Sequence, residues 1–127
     1  MSARHQPPRA ASSEKTDVGN PTEVADLCEA AIARFGRLDV MVNNAWIAAW
    51  HPRAEAVEAR TARFWRTHIL GVQTGIKDAT ARTQAGGAIV NISSVTVVRC
   101  FVNWDEYAAT TAGIISLTQT AGVEYGP

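Results

Sequence analysis

Two short apolar runs constrain the fold of this chain more than any other feature of its sequence. They cover residues 38–44 and 88–92 and consist mostly of Val, Ile, Leu, Met and Ala. Such runs are typical of strands buried on both faces of a parallel sheet. Apolar residues recur at helical spacing over 21–35, 57–82 and 105–124. The order helix, strand, helix, strand, helix predicts an α/β fold in which helices flank a parallel sheet.

The sequence also predicts where two of the helices begin or end. Asn20 is suited to accept the first free backbone N–H groups, Pro21 fits the first helical position, and Glu23 completes a capping box. Gly36 supplies the stop of this first helix. Asp105 is expected to cap the third helix.

The composition is that of one small globular domain. Apolar residues make up 46% of the 127 residues, charged residues make up 19%, and the formal net charge is zero. A balanced charge gives no attraction to nucleic acid or to an acidic membrane surface, so neither is expected as a partner. No apolar run approaches the ~20 residues of a membrane-spanning helix, and residues 1–10 lack the apolar core of a secretory signal. We therefore expect a cytoplasmic protein with a disordered lead-in over 1–16 and one domain over 17–127.

Cysteine and histidine positions indicate neither a disulfide framework nor a metal site. The two cysteines are Cys28 and Cys100. We expect reduced thiols, with a disulfide between them as the less favoured alternative. His5, His51 and His68 lack the spacing of metal ligands, so no metal is expected.

Four segments, taken in chain order, carry a resemblance to a known family. Asp17-Val18 comes first, residues 35–45 end in Asn44-Ala45, residues 88–94 end in Ser94, and Tyr107 opens the third helix 13 positions after Ser94. Together they resemble the short-chain dehydrogenase/reductase family. The match covers the centre of the family's domain, which implies a partial Rossmann-like parallel sheet with flanking helices, without its N-terminal βαβ unit and its C-terminal strands.

The resemblance implies a chemistry and a set of site residues. Family members use NAD or NADP to interconvert a small-molecule alcohol and a ketone, and a tyrosine exchanges the proton of the substrate oxygen. Tyr107 and Ser94 match the catalytic tyrosine and serine, the serine being a hydrogen-bond donor to that oxygen. The positions matching cofactor-binding residues are Asp17, Val18, Asn44, Ala45 and Tyr107.

The sequence departs from the family's pattern at three site positions. Thr111 stands where a lysine four residues after the tyrosine would favour the phenolate, and we expect rescue by Arg99 or His68 to fail. His68 stands at the family's helical asparagine, either as a new proton relay or, the favoured interpretation, as a tolerated helical histidine. Trp46 replaces the glycine after Asn-Asn-Ala; it would crowd the nicotinamide side, swing away, or stack on substrate.

The sequence also holds no glycine-rich phosphate loop, so we expect this chain alone to bind a dinucleotide poorly. Strand 38–44 would have a bare edge, which favours self-association or pairing with another family subunit through helices 57–82 and 105–124. Three functions stay open: a truncated oxidoreductase with little activity, a non-catalytic interaction module, and an enzyme that borrows its missing half from another chain. If the substrate pocket is kept, an apolar alcohol or ketone is expected from the side chains of Val97, Val98, Phe101, Val102 and Trp104.

Overall fold

The sheet of the protein is parallel and two-stranded. A computed structural model describes residues 11–49, 52, 58–83 and 86–126. Strand β1 (Val40–Asn43) pairs with β2 (Ala88–Asn91) in parallel, with Val40 opposite Ala88 and Asn43 opposite Asn91. The predicted parallel sheet with flanking helices is confirmed. Both strands are shorter than the apolar runs because residues 38, 39, 44 and 92 lie outside the paired register.

The helices fall where the apolar spacing predicts them, with one interruption. The α-helices are α1 (Pro21–Phe35), α2 (Glu58–Phe64), α3 (Gly71–Arg82) and α4 (Asp105–Tyr125). A π-helical segment, Trp65–Leu70, joins α2 to α3, and a 3₁₀ turn, Val95–Val97, follows β2. The single helix predicted over 57–82 is therefore three segments, and residue 57 lies outside the described residues. π-helical insertions are often found at functional sites.

The predicted boundaries of α1 are confirmed by its hydrogen bonds. Asn20 Oδ1 accepts from the Thr22 N–H, as predicted. The predicted capping box is not formed, because the Asn20 N–H donates to the Asp17 carbonyl and the Glu23 carboxylate accepts instead from the Asn20 side-chain amide and the Asp17 N–H. Gly36 takes the left-handed conformation, with φ at 82°, and closes the helix.

The prediction that Asp105 caps the third helix, α4, is wrong. Trp104 occupies the N-cap position, and Asp105 is the first helical residue.

The core lies between the sheet and the middle of α3 and α4. Helix α3 packs on both strands, with α1 on one flank and α4 on the other. The core members are Val72, Ile76 and Ile114, with Ile89, Leu117 and Ala121 packed around them. Trp65 of the π-helical segment and Val123 of α4 are exposed.

One face of the sheet is open, which corrects the expectation of strands buried on both faces. Val40, Val42 and Val90 are 53%, 54% and 43% exposed, whereas the alternate residues face the helices. The expectation is wrong because α3 and α4 cover one face and the described residues leave the other to solvent. Exposed apolar surface of this kind is costly in water.

Several further expectations concern the rest of the chain. Residues 1–10 of the predicted lead-in lie outside the described residues, and 11–16 form neither helix nor strand. Cys28 is buried and Cys100 exposed, and both are free thiols. None of the described helices is long and apolar enough to cross a bilayer. Within the described ranges, no three His, Cys, Asp or Glu side chains come together as metal ligands would.

Candidate functional site

The candidate site lies at the carboxyl ends of β1 and β2. Residues 44–47 leave β1 there, residues 92–94 leave β2, and the first turn of α4 brings Tyr107 to the same edge. In parallel α/β sheets this edge is where ligands bind. Two adjoining cavities occupy it, one of about 140 Å³ and one of about 280 Å³.

Ser94 and Tyr107 line the larger cavity together. Ser94 sits at the start of the 3₁₀ turn, where its Oγ accepts from the Thr96 N–H at 3.2 Å. This capping bond leaves the hydroxyl proton of Ser94 free to donate to a ligand. The neighbouring Ser93 takes a different role, because its hydroxyl donates to the Thr111 carbonyl at 2.7 Å and ties the end of β2 to α4.

His68 is buried in the π-helical segment with both ring nitrogens bonded to protein. Its Nε2 accepts from the Ile47 N–H at 3.1 Å, so the ring proton of the neutral form lies on Nδ1. Nδ1 then donates to Thr110 Oγ1 at 2.7 Å. Burial lowers the pKa of His68 below its ordinary 6.5, which keeps the ring neutral. These bonds favour the tolerated-histidine interpretation over a proton relay.

Tyr107 is surrounded by aromatic rings. Its ring makes edge-to-face contacts with His68, Trp104 and Trp46, at centroid distances of 5.4, 5.0 and 6.4 Å. Trp46 is 62% exposed and lines both cavities. Of the three options for Trp46, swinging away is not what the structure shows: the indole contacts Tyr107 and forms part of the wall of both cavities.

Thr111 is buried beside the smaller cavity, and its hydroxyl is engaged within the protein. Its Oγ1 donates to the Tyr107 carbonyl at 2.8 Å and lies 3.2 Å from Thr96 Oγ1. The Arg99 guanidinium lies over the Phe101 ring, 5.6 Å from its centroid. With His68 neutral, neither of the two side chains considered as a rescue places a positive charge on Tyr107 in this arrangement.

Comparisons with known proteins identify the family. The family profile described as short chain dehydrogenase matches residues 3–127. The chain belongs to the short-chain dehydrogenase/reductase family.

Individual members of this family show how much of the domain is matched. Short chain dehydrogenase/reductase astE of Aspergillus oryzae is 37% identical over 118 residues, covering 87% of this chain and 44% of that protein. Cis-4-hydroxycyclohexanecarboxylate dehydrogenase of Sinomonas cyclohexanicum is 40% identical over 117 residues, covering 87% and 46%. A Burkholderia cenocepacia short chain dehydrogenase solved in complex with NADP superposes with a TM-score of 0.85, 25% identity and coverage of 89% and 46%. The chain thus spans less than half the length of each of these three family members.

The residues expected to hold the family's cofactor lie along one continuous edge. Val18, Asn44 and Ala45 line a third cavity of about 80 Å³, and Asn44 and Ala45 also line the 140 Å³ cavity with Tyr107. Asp17 is exposed next to this edge, with its Oδ1 accepting from the Gly19 N–H. By the family resemblance, Asp17 and Val18 would hold the adenine end of a nicotinamide dinucleotide, and Asn44, Ala45 and Tyr107 its nicotinamide end. The fit lacks a cation, since Thr111 presents a neutral hydroxyl.

The structure also separates the residues expected at the substrate pocket. Phe101 and Trp104 line the larger cavity, while Val98 and Val102 are exposed away from it. Sequence reasoning missed Thr110, the partner of His68. Its position three residues after Tyr107 on a helix was the available signal, but only tertiary packing shows which neighbour it meets.

Proposed function

We propose that the chain carries the substrate side of a short-chain dehydrogenase/reductase site for a small alcohol or ketone, with little activity in this form. One observation carries the proposal: Ser94 and Tyr107 line a single cavity at the carboxyl edge of the sheet. Residues 17–127 form the unit that holds it. We place the protein in the cytoplasm because members of its family are typically soluble.

The roles of the two residues follow from their groups. In ketone reduction the Tyr107 hydroxyl donates its proton to the substrate oxygen, and in alcohol oxidation the phenolate takes it back. Ser94 donates a hydrogen bond to the same oxygen and stabilises its developing negative charge. NAD or NADP, when bound along the Val18–Ala45 edge, supplies or accepts the hydride.

The names of relatives support the proposed cofactor and substrate class. The structure from Burkholderia cenocepacia is in complex with NADP, and ElxO, 33% identical with a TM-score of 0.80, has NADP bound. Two curated relatives are named diacetyl reductase and cis-4-hydroxycyclohexanecarboxylate dehydrogenase. A nicotinamide cofactor and an alcohol or ketone substrate are therefore the chemistry we carry over to this chain.

Little activity is expected because Thr111 provides no positive charge. A buried threonine hydroxyl bonded to the helix backbone does nothing to favour the phenolate form of Tyr107. The 140 Å³ cavity beside Thr111 and Tyr107 has room for a longer side chain. Lysine at this position would bring a cation to the tyrosine and to the cofactor edge.

The substitution Thr111→Lys tests the proposal. We expect oxidation of millimolar NADH or NADPH with a ketone to be near background in the parent chain and to rise about tenfold or more in Thr111→Lys, a factor equivalent to ~1.4 kcal/mol. The matched control, Thr111→Lys with Tyr107→Phe, should lose the gain. A parent as fast as Thr111→Lys would contradict the low activity. A folded, cofactor-binding Thr111→Lys chain with no gain would contradict the role of Tyr107.

The open sheet face and the exposed part of α4 favour a second function, pairing with another protein. Val40, Val42 and Val90 on the sheet, and Val123 on α4, remain exposed among the described residues. A non-catalytic module that pairs with a complete family member would bury such surface. Co-expression with a full-length short-chain dehydrogenase tests this: a stable complex supports pairing, and separate elution of the two chains rules it out.

A further inference from the structure

The larger cavity is lined mainly by aromatic side chains. It measures about 280 Å³, and four of its lining side chains are aromatic: Trp46, Phe101, Trp104 and Tyr107. We propose that this cavity accepts a neutral alcohol or ketone whose oxygen is carried on a ring, with Trp46 contacting the face of that ring. The inference rests on the proposed function and names its substrate class.

The arrangement of the rings supports a flat or ring-shaped ligand. The Tyr107 ring contacts the rings of Trp46 and Trp104 at interplanar angles of 76° and 80°. The ring centroids of Phe101 and Trp104 lie 6.5 Å apart. Rings in such orientations offer both faces and edges, which are the contacts aromatic groups prefer. Trp46 keeps much of its surface free, so a ring that covers it removes apolar area from water.

Size and charge narrow the ligand further. The volume lies near the low end of the ~300–1,000 Å³ typical of ligand pockets, which suits a compact ring. Among the described residues, the polar groups in the lining are the hydroxyls of Ser94, Thr96 and Tyr107 and the indole N–H groups of two tryptophans, and no lining side chain is charged. A neutral ligand is favoured because a carboxylate would lose its hydration without gaining a cation in the described lining; the nearby Arg99 guanidinium lies over the Phe101 ring and does not line the cavity.

The wall formed by Trp46 is fixed in place from behind. Ile47, the next residue, donates its N–H to buried His68, and His68 in turn bonds Thr110 on α4. The loop that carries Trp46 is thereby joined to the helix that carries Tyr107. His68 acts here as a positioning residue, so the two departures from the family's residues at 46 and 68 belong to one arrangement.

Binding of small ketones, measured without cofactor, tests the inference. The chain labelled with 5-fluorotryptophan is titrated with 1-indanone, with open-chain 5-nonanone, and with benzoate as a charged ring, and followed by fluorine NMR. Substitution of each tryptophan identifies the four resonances. We expect 1-indanone to shift the Trp46 and Trp104 resonances, to leave that of Trp65 in place, and to bind at least fivefold more tightly than either other probe.

Substitution at Trp46 supplies the matched comparison. Trp46→Ala should weaken 1-indanone binding about threefold to tenfold, the range expected for loss of an aromatic contact. Trp65→Ala, which removes an exposed tryptophan outside the cavity, should leave it unchanged. Equal or tighter binding of 5-nonanone or benzoate would overturn the ring class. So would no binding at millimolar 1-indanone. Overlap of all four fluorine resonances would show that the tryptophans share one environment, without an ordered cavity, and would overturn it as well. Since no cofactor is present, failure of the proposed redox function would leave this result standing on its own.

Discussion

Gly75 of α3 lies directly against Asn43 at the end of β1. A Cβ atom on Gly75 would come within 2.0 Å of Asn43 Oδ1. The Asn43 side chain is held in place, since its Nδ2 donates to Asn91 Oδ1 at 2.8 Å and Asn91 Nδ2 donates to Thr118 Oγ1 at 3.0 Å. The absence of a side chain at Gly75 thus lets α3 approach a polar chain that links both strands to α4.

Gly75→Ala is expected to destabilise the fold. The added methyl group overlaps the Asn43 amide, and relief requires breaking its bond to Asn91, so the free energy of unfolding should fall by roughly 1–3 kcal/mol. Urea denaturation followed by circular dichroism measures it. Gly122→Ala in α4 is the matched control: nothing lies within 4 Å of its Cβ, and it should be neutral or stabilising by up to about 1 kcal/mol. Equal effects of the two substitutions would argue against the close approach.

His68 is expected to make stability depend on pH. Because burial lowers its folded-state pKa below the unfolded value of about 6.5, the unfolded chain binds the proton more readily. The stabilisation is fully present above pH 6.5 and is lost as the pH falls through the folded pKa, by up to ~1.4 kcal/mol per pH unit. Urea denaturation at pH 7.5 and 5.5 measures the change.

The control for this pH dependence is His68→Gln, which does not titrate. The parent should lose more free energy of unfolding between pH 7.5 and 5.5 than the variant does. Nitrogen-15 NMR of the parent at pH 7.5 should show the proton of His68 on Nδ1, as the bond from Ile47 requires. Equal losses in the two chains, or a proton on Nε2, would contradict the hydrogen bonding of His68.

The open sheet face is expected to drive self-association. Val42 and Val90 point to solvent from adjacent strands, and replacing both by Thr keeps the branched shape while reducing apolar surface. The dissociation constant of any oligomer in sedimentation velocity should rise roughly tenfold. Val98→Thr, at an exposed site next to the 3₁₀ turn, should have no effect. A parent chain that stays monomeric at high micromolar concentration would refute the expectation.

How far the sequence predicted this structure depends on whether a feature is local. The ends of α1 were predictable because Asn20 and Gly36 act on the backbone next to them. The meeting of Ser94 and Tyr107 followed from the order of motifs along the chain. The π-helical segment could not be predicted, because its apolar spacing continues that of α2 and α3. It contains His68, whose hydrogen bond to Ile47 depends on tertiary packing.

The open face of the sheet was equally hidden from sequence reasoning. Val40, Met41 and Val42 are all apolar, so the run carries no alternation to show that one face lacks a cover. Gly75 lies inside the helical pattern, but its close approach to Asn43 is defined only by tertiary packing.

The most direct measurement is a circular-dichroism melt of the chain with and without millimolar NADH or NADPH. Cofactor at about a hundred times its dissociation constant would add ~2.7 kcal/mol to a folded binder and raise the melting temperature by several degrees. Because the sequence holds no glycine-rich phosphate loop and Thr111 supplies no cation, we expect the parent to melt at the same temperature with either cofactor; Thr111→Lys restores the cation alone and should show the larger shift. A cooperative parent transition that moves up by several degrees would contradict the view that this chain keeps the geometry of the site without its full chemistry.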